Sequence, residues 1–135
     1  IRDRLMYVVS KKHPMAKKKC MTIEDFRDEN LLMFNVDSVQ NELLKNRFDQ
    51  LKLNPRIIMR SSQLYTALKF IENGSCGCFL FSDMLPHFKQ YKGIPLEPPI
   101  DVNIGIVWKK GNFLSHSAQL FIDFAMQYCS ENITT

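Results

Sequence analysis

The chain is poor in the residues that build special scaffolds. Among 135 residues there are 5 Gly, 6 Pro, 4 Cys and 1 Trp. So little Gly and Pro excludes a collagen-like or linker-like chain. Cys20, Cys76, Cys78 and Cys129 are too few and too irregular for a secreted disulfide framework. No apolar run approaches the roughly 20 residues that cross a bilayer. Excess charge is also missing: 18 Lys plus Arg against 14 Asp plus Glu leave +4 with His neutral, far from a polybasic nucleic-acid arm. The three His stand alone, with no H-x-x-x-H, and no Walker loop, G-x-G-x-x-G or G-x-S-x-G occurs. Cys76-Gly77-Cys78 has no second pair to complete a four-ligand zinc site. Neither a catalytic residue, a metal site nor a cofactor is proposed by these patterns. Asn73-Gly74-Ser75 and Asn132-Ile133-Thr134 match the glycosylation pattern by chance, because no secretory signal accompanies them.

What is present is apolar mass. The chain is 45% hydrophobic with 10 Phe, enough for one real core, and its length suits one domain. Ile1-Arg2-Asp3-Arg4 shows neither an initiator Met nor a signal-peptide layout, so a piece of a longer chain is expected.

Strand and helix signals alternate. Leu5–Val9 reads as a strand broken by Pro14, and Thr22 with Asp25 as a capping box opening a short helix to about Arg27. Leu31–Phe34 is the next strand. Asp37 or Ser38 caps a helix whose expected stripe is Val39, Leu43, Leu44, Phe48 and Leu51. Ile57–Met59 is a strand. Ser61 or Ser62 caps a helix with the stripe Leu64, Ala67, Leu68 and Ile71, ended by Gly74. Cys78–Phe81 is a strand, 84–91 a short helix, and Val102–Trp108 a long strand. Gly111-Asn112 turns the chain into a last helix, capped by Ser115 or Ser117, carrying Leu120, Phe121, Ile122, Phe124, Ala125 and Tyr128.

This alternation predicts an α/β fold: a mostly parallel sheet flanked by helices. In such sheets ligands bind outside the carboxyl ends of the strands, where helix N-termini present free amides and a positive dipole end. The basic run Lys11, Lys12, Lys17, Lys18 and Lys19 has no interleaved aromatic and reads as a solvated loop.

The order of segments resembles the effector-binding domain of LysR-type transcriptional regulators, in its C-terminal part. The likeness is carried by Leu5–Val9 with His13-Pro14-Met15-Ala16, by Thr22-Ile23-Glu24-Asp25-Phe26, and by Ser62–Leu68 running to Asn73-Gly74. Ile106-Val107-Trp108-Lys109-Lys110-Gly111 followed by Ser115–Phe124 completes it. The chain departs from the family pattern at Gly74–Ser82, with one extra residue and Ser82 where Pro is usual.

The resemblance implies a Rossmann-like lobe of a type 2 periplasmic-binding-protein-like, two-lobed sensor. Residues 1–101 would be the second lobe. Residues 102–135 would cross back toward a first lobe. A small, often anionic effector would lie between lobes, contacted here by Asn35, Asp37, Ser38, Ser61, Ser62 and Gly77. The implied protein is cytoplasmic and bacterial, without cofactor or catalysis. It would be a dimer or tetramer through its sensor domains, with Tyr65, Lys69 and Glu72 of the helix from Ser62 at or beside the contact. DNA would be met only through an N-terminal winged helix-turn-helix outside this chain. Two alternatives stay open: a solute-binding protein of the same architecture, and an enzyme on this scaffold.

Overall fold

The computed structural model describes residues 1–109, 111 and 113–132. Lys110, Asn112 of the expected turn, and Ile133 and Thr134 of the second glycosylation pattern lie outside the described residues. Among the described residues six strands and three α-helices follow one another: β1 (Arg2–Ser10), β2 (Asn30–Met33), α1 (Val39–Gln50), β3 (Arg56–Arg60), α2 (Leu64–Ile71), β4 (Cys78–Phe81), β5 (Tyr91–Pro95), β6 (Asp101–Asn103) and α3 (His116–Asn132). Short 3-10 turns at Pro14–Lys17, Glu24–Phe26 and Ser82–His87 fill three of the connections.

The described residues form two compact units, residues 4–101 and residues 1–3 with those from Val102 onward. In the larger unit β1 lies between β4 and β5 and is antiparallel to both. β2 pairs with β3 in parallel and meets the β4 side through a parallel bridge, Leu31 to Gly77. The sheet is therefore mixed, and the expected mostly parallel sheet is corrected at β1. A parallel neighbour needs a crossover of a dozen or more residues, usually helical. α1 and α2 supply such crossovers for β2, β3 and β4. β1 is joined onward only by 3-10 turns, and nothing in those turns forces it parallel.

Side-chain alternation divides the core in two. Leu5, Tyr7 and Val9 of β1, with Leu31, Met33 and Phe79, face Leu44 and Phe48 of α1. Val8, Leu32, Cys78 and Leu80 face Ala67, Leu68 and Ile71 of α2. Period two along each strand thus feeds both faces, and a helix covers each.

α2 buries Ala67, Leu68 and Ile71 of its expected stripe and half-buries Leu64, and Gly74 ends it at φ 79°, where a Cβ is disfavoured. α1 keeps the middle of the expected stripe, with Leu43 packed on the core beside Leu44 and Phe48, but not its two ends. It buries Asn41, Leu44 and Phe48, while Val39 and Leu51 are exposed. Asn41 joins that face, its side-chain amide held inward by the two hydrogen bonds described below. The expected box at Thr22 is half formed. The Asp25 carboxylate accepts the Thr22 backbone N–H at 2.9 Å and a bond from Lys18, but no side chain caps the turn. The helix expected over 84–91 is a 3-10 turn ending at His87, since Pro86 removes a donor and Tyr91 already belongs to β5.

In the smaller unit Ile1 and Ile104 exchange backbone hydrogen bonds at 2.8 and 2.7 Å. The long strand expected over Val102–Trp108 is only Asp101–Asn103. Val107 and Phe113 are more than nine-tenths exposed. α3 is capped by Ser115, whose hydroxyl accepts the Ala118 N–H at 3.2 Å. Ile122 is buried, whereas Leu120, Phe121, Phe124, Met126 and Tyr128 are exposed.

Candidate functional site

Strand direction defines two ends of the sheet in the larger unit. β2, β3 and β4 run the same way, so their carboxyl ends share one edge: Phe34–Ser38, Arg60–Gln63 and Phe81–Asp83. β1 runs against β4 with Leu5 opposite Phe81, which brings the start of β1 to that edge too. There Arg4 Nε donates to Asp101 Oδ1 at 2.7 Å.

Five of the six residues expected to contact an effector sit on this edge. Asn35, Asp37 and Ser62 are exposed, and Ser38 and Ser61 are half-buried. Ser38 is the N-cap of α1, its hydroxyl accepting the Asn41 N–H at 3.2 Å. The cap expected from Ser61 or Ser62 is corrected: Gln63 is the N-cap of α2 and makes no side-chain cap. Ser61 is instead tied locally. Its N–H donates to Met33 O at 3.1 Å and its hydroxyl accepts the Gln63 N–H at 3.1 Å.

Gly77 lies elsewhere. It bridges Leu31 at the amino end of β2, its carbonyl accepts the Leu32 N–H at 2.9 Å, and its N–H donates to Asn30 O at 3.3 Å. A Cβ on Gly77 would come 2.5 Å from Tyr7 Cζ. The structure does not bring Gly77 together with the other five.

The residue that sequence reasoning missed is Arg60. Its Nη1 donates to Phe34 O at 3.2 Å and to Asn41 Oδ1 at 3.0 Å. Asn41 is buried, and its Nδ2 donates in turn to Val36 O at 3.2 Å. One amide side chain therefore locks the β2–α1 loop and the guanidinium together. Arg60 Nε and Nη2 make no hydrogen bond to any described residue, and no carboxylate pairs with it there. A clamped guanidinium with open donors beside a helix N-terminus is suited to a carboxylate or phosphate. The available signal was an Arg in the last position of a strand, next to two serines. From it a groove of about 310 Å³ runs along α1 past Lys45 and Phe48 to Asp49, floored by Met33 and Leu53.

Nothing at this edge has the layout of a catalytic set. Among the described residues no group of three His, Cys, Asp or Glu could hold a metal ion. His87 and His116 are exposed and far from one another in sequence. Cys76 and Cys78 are buried free thiols; burial pushes both up, Cys78 to about 12, which leaves them poor nucleophiles. No described helix is long and apolar enough to cross a membrane.

Comparison with known proteins places this geometry. The chain is 26% identical over 135 residues to the transcriptional dual regulator GltC of Bacillus subtilis, covering 96% of this chain. It is 25% identical over 131 residues to the HTH-type transcriptional regulator YybE of the same organism, again covering 96% of this chain. The chain spans 44% of the length of each of these relatives. Among solved structures it superposes on the effector-binding domain of QuiR in complex with shikimate with a TM-score of 0.81 at 21% identity. That match covers 98% of this chain and 64% of the other. The regulatory domain of CcmR from Synechocystis PCC6803, in complex with 2-PG, gives a TM-score of 0.80 at 18% identity, covering 100% of this chain and 66% of that one. The mixed α/β fold is thus that of LysR effector-binding domains. The LysR substrate binding domain family model matches residues 1–130, and the chain belongs to that family.

Proposed function

We propose that this chain is the second lobe, with the returning connection, of an effector-sensing domain that controls a DNA-binding transcriptional regulator. Residues 1–101 form one wall of a cleft between two lobes, and residues 102–135 lead back toward the first lobe, as in a type 2 periplasmic-binding-protein-like sensor. The observation that carries this reading is the edge holding Asn35, Asp37, Ser38, Ser61, Ser62 and the open donors of Arg60. It supports an anionic small molecule, in keeping with the shikimate and 2-PG held by the two similar structures. Asp37 favours an effector that also carries a donor. An effector controls DNA binding only through its differential affinity for open and closed arrangements. No step of this account needs catalysis or a cofactor. The whole protein, on this reading, works in the cytoplasm of a bacterium and meets DNA outside this chain.

A thermal-shift screen of small carboxylates and phosphate esters on the two-lobed domain tests it. A true effector at 100 times its dissociation constant adds about 2.7 kcal/mol. Arg60→Gln is expected to abolish that shift while leaving the unliganded melting temperature within a few degrees. A full shift in the variant excludes Arg60 from the site.

Self-association belongs to the same proposal. β3 pairs only with β2 among the described strands, and Ile57 and Ile58 on it are exposed. A free edge with apolar side chains invites a second copy. The outer face of α2 offers Tyr65, 74% exposed, but its charges are engaged within the chain: Lys69 Nζ bonds Glu72 at 3.0 Å, and Tyr91 Oη donates to Glu72 at 2.9 Å. Sedimentation of Ile58→Lys beside Lys69→Glu and Tyr65→Asp separates the two faces. Ile58→Lys is expected to dissociate the assembly; dissociation by the α2 variants alone would assign the contact to α2.

The exposed side of α3 is the third consequence. Each large apolar side chain buried is worth about 1.5–3 kcal/mol. Phe121 and Phe124 left in water favour association of this chain. Light scattering is expected to show assemblies that Phe121→Asp with Phe124→Asp dissolves. A monodisperse monomer with α3 protected from hydrogen exchange would mean that the helix packs on its own lobe.

A further inference from the structure

The end of the sheet opposite the strand-end edge holds a buried polar cluster that the effector account does not use. His13 and Tyr7 are buried and Glu29 is nearly so. Tyr7 Oη donates to Glu29 Oε2 at 3.1 Å, and His13 Nε2 lies 3.4 Å from the same oxygen. The other imidazole nitrogen has a different task. His13 is the N-cap of the 3-10 turn Pro14–Lys17, and its Nδ1 accepts the Met15 N–H at 3.1 Å.

That pair of contacts fixes the tautomer. An acceptor Nδ1 has no proton, so the proton of the neutral ring is on Nε2, facing Glu29. A second proton can go only onto Nδ1, where it would point at the Met15 N–H. Protonation therefore removes the cap by geometry, whatever Glu29 gains by it. The turn it holds is the one that lays Ala16 and Met15 against the core beside Phe26. Lys17 and Lys19 follow, both exposed, while Lys18 is held by Asp25.

We propose that the His13–Met15 cap, backed by Glu29 and Tyr7, is an acid-sensitive latch: protonation of His13 releases the basic segment 14–19 from the sheet. The groups facing His13 are Tyr7 from β1 and Glu29 from the turn before β2, with Cys76 behind Glu29. On its own loop Lys12 acts on Glu72 at the end of α2. Burial holds the imidazole below its ordinary 6.5, and Glu29 offsets only part of this. The folded chain thus binds fewer protons than the unfolded chain just below pH 6.5. The latch is fully closed above about pH 6.5 and weakens as pH falls from there toward the folded titration point.

Nitrogen NMR of the imidazole and hydrogen exchange on the full chain test this between pH 5 and 8. The expected result is an Nε2-protonated ring at neutral pH. Protection of the Met15 and Lys18 amides, corrected for intrinsic exchange, should fall about tenfold per pH unit between the unfolded and folded titration points. His13→Asn keeps an oxygen acceptor that does not titrate and should make this protection independent of pH. A proton on Nδ1 at pH 7, protection that ignores the titration of His13, or unchanged pH dependence in His13→Asn would each overturn the latch. The tautomer and the pH dependence of protection are both read in the native chain, so the latch is tested even if His13→Asn is unstable.

Discussion

Phe26→Ala is expected to cost about 3–5 kcal/mol, the range for removing a buried aromatic from a packed core. Phe26 is fully buried although its 3-10 turn is only three residues long. Its ring centroid lies 4.9 Å from Tyr7 in an edge-to-face arrangement, 5.3 Å from Phe79 and 6.1 Å from Phe48. These partners come from β1, β4 and α1, so one side chain ties the turn to three separate elements. A three-residue surface turn is not held in place by its short i to i+3 backbone bonds alone; the ring anchors it. Urea unfolding is expected to show a lower midpoint with the slope retained. A loss under 1 kcal/mol would mean that the turn is free to close over the vacated space.

The second large effect is at Gly77. Its φ does not demand glycine; its neighbours do. A Cβ there would stand 2.5 Å from Tyr7 Cζ and Oη and 2.6 Å from Cε2. Tyr7 cannot step aside, since it is fully buried between Phe26 and Phe79 and its hydroxyl is held by Glu29. Gly77 cannot move either, because its amide and carbonyl bond the strand beside it. Gly77→Ala is expected to destabilise by about 1–3 kcal/mol through overpacking. Tyr7→Leu, which removes the atoms in the way, should reduce that cost, and a double-mutant cycle measures the coupling. Additive losses would show that the clash is relieved by some other route. The Tyr7 hydroxyl titrates well above its ordinary value, first through burial and then through Glu29, so it stays a donor across the whole working range.

How far the sequence could be read follows from which signals are local. The stripe Leu64, Ala67, Leu68, Ile71 and the run Cys78–Phe81 announce α2 and β4 because hydrophobic period alone decides them. In α1 the periodicity finds Leu44 and Phe48 but not Asn41, a polar residue buried by its bonds to Val36 and Arg60. No periodicity reports a hydrogen bond to the end of the following strand. The direction of β1 was likewise invisible: alternation of strands and helices implies parallel pairing only where a helix makes the crossover. That five of the six expected residues share one edge reflects the rule that loops after parallel strands gather at their carboxyl ends. Gly77 fell outside it because it precedes β4. Its glycine is required by contact with Tyr7, a residue 70 positions earlier. Arg60 was passed over because a charged strand terminus is ordinary in sequence, and only its clamp makes it unusual.

The most direct test of the account is a map of where small anions touch this chain. Amide chemical shifts of the two-lobed domain should be followed during titration with the carboxylates and phosphate esters that raise its melting temperature. The account predicts saturable changes at Asn35–Ser38 and Arg60–Ser62, absent in Arg60→Gln, with Gly77 and the His13 turn unmoved. Saturable changes centred on Gly77, or binding that Arg60→Gln leaves intact, would contradict the assignment of the strand-end edge as the effector wall.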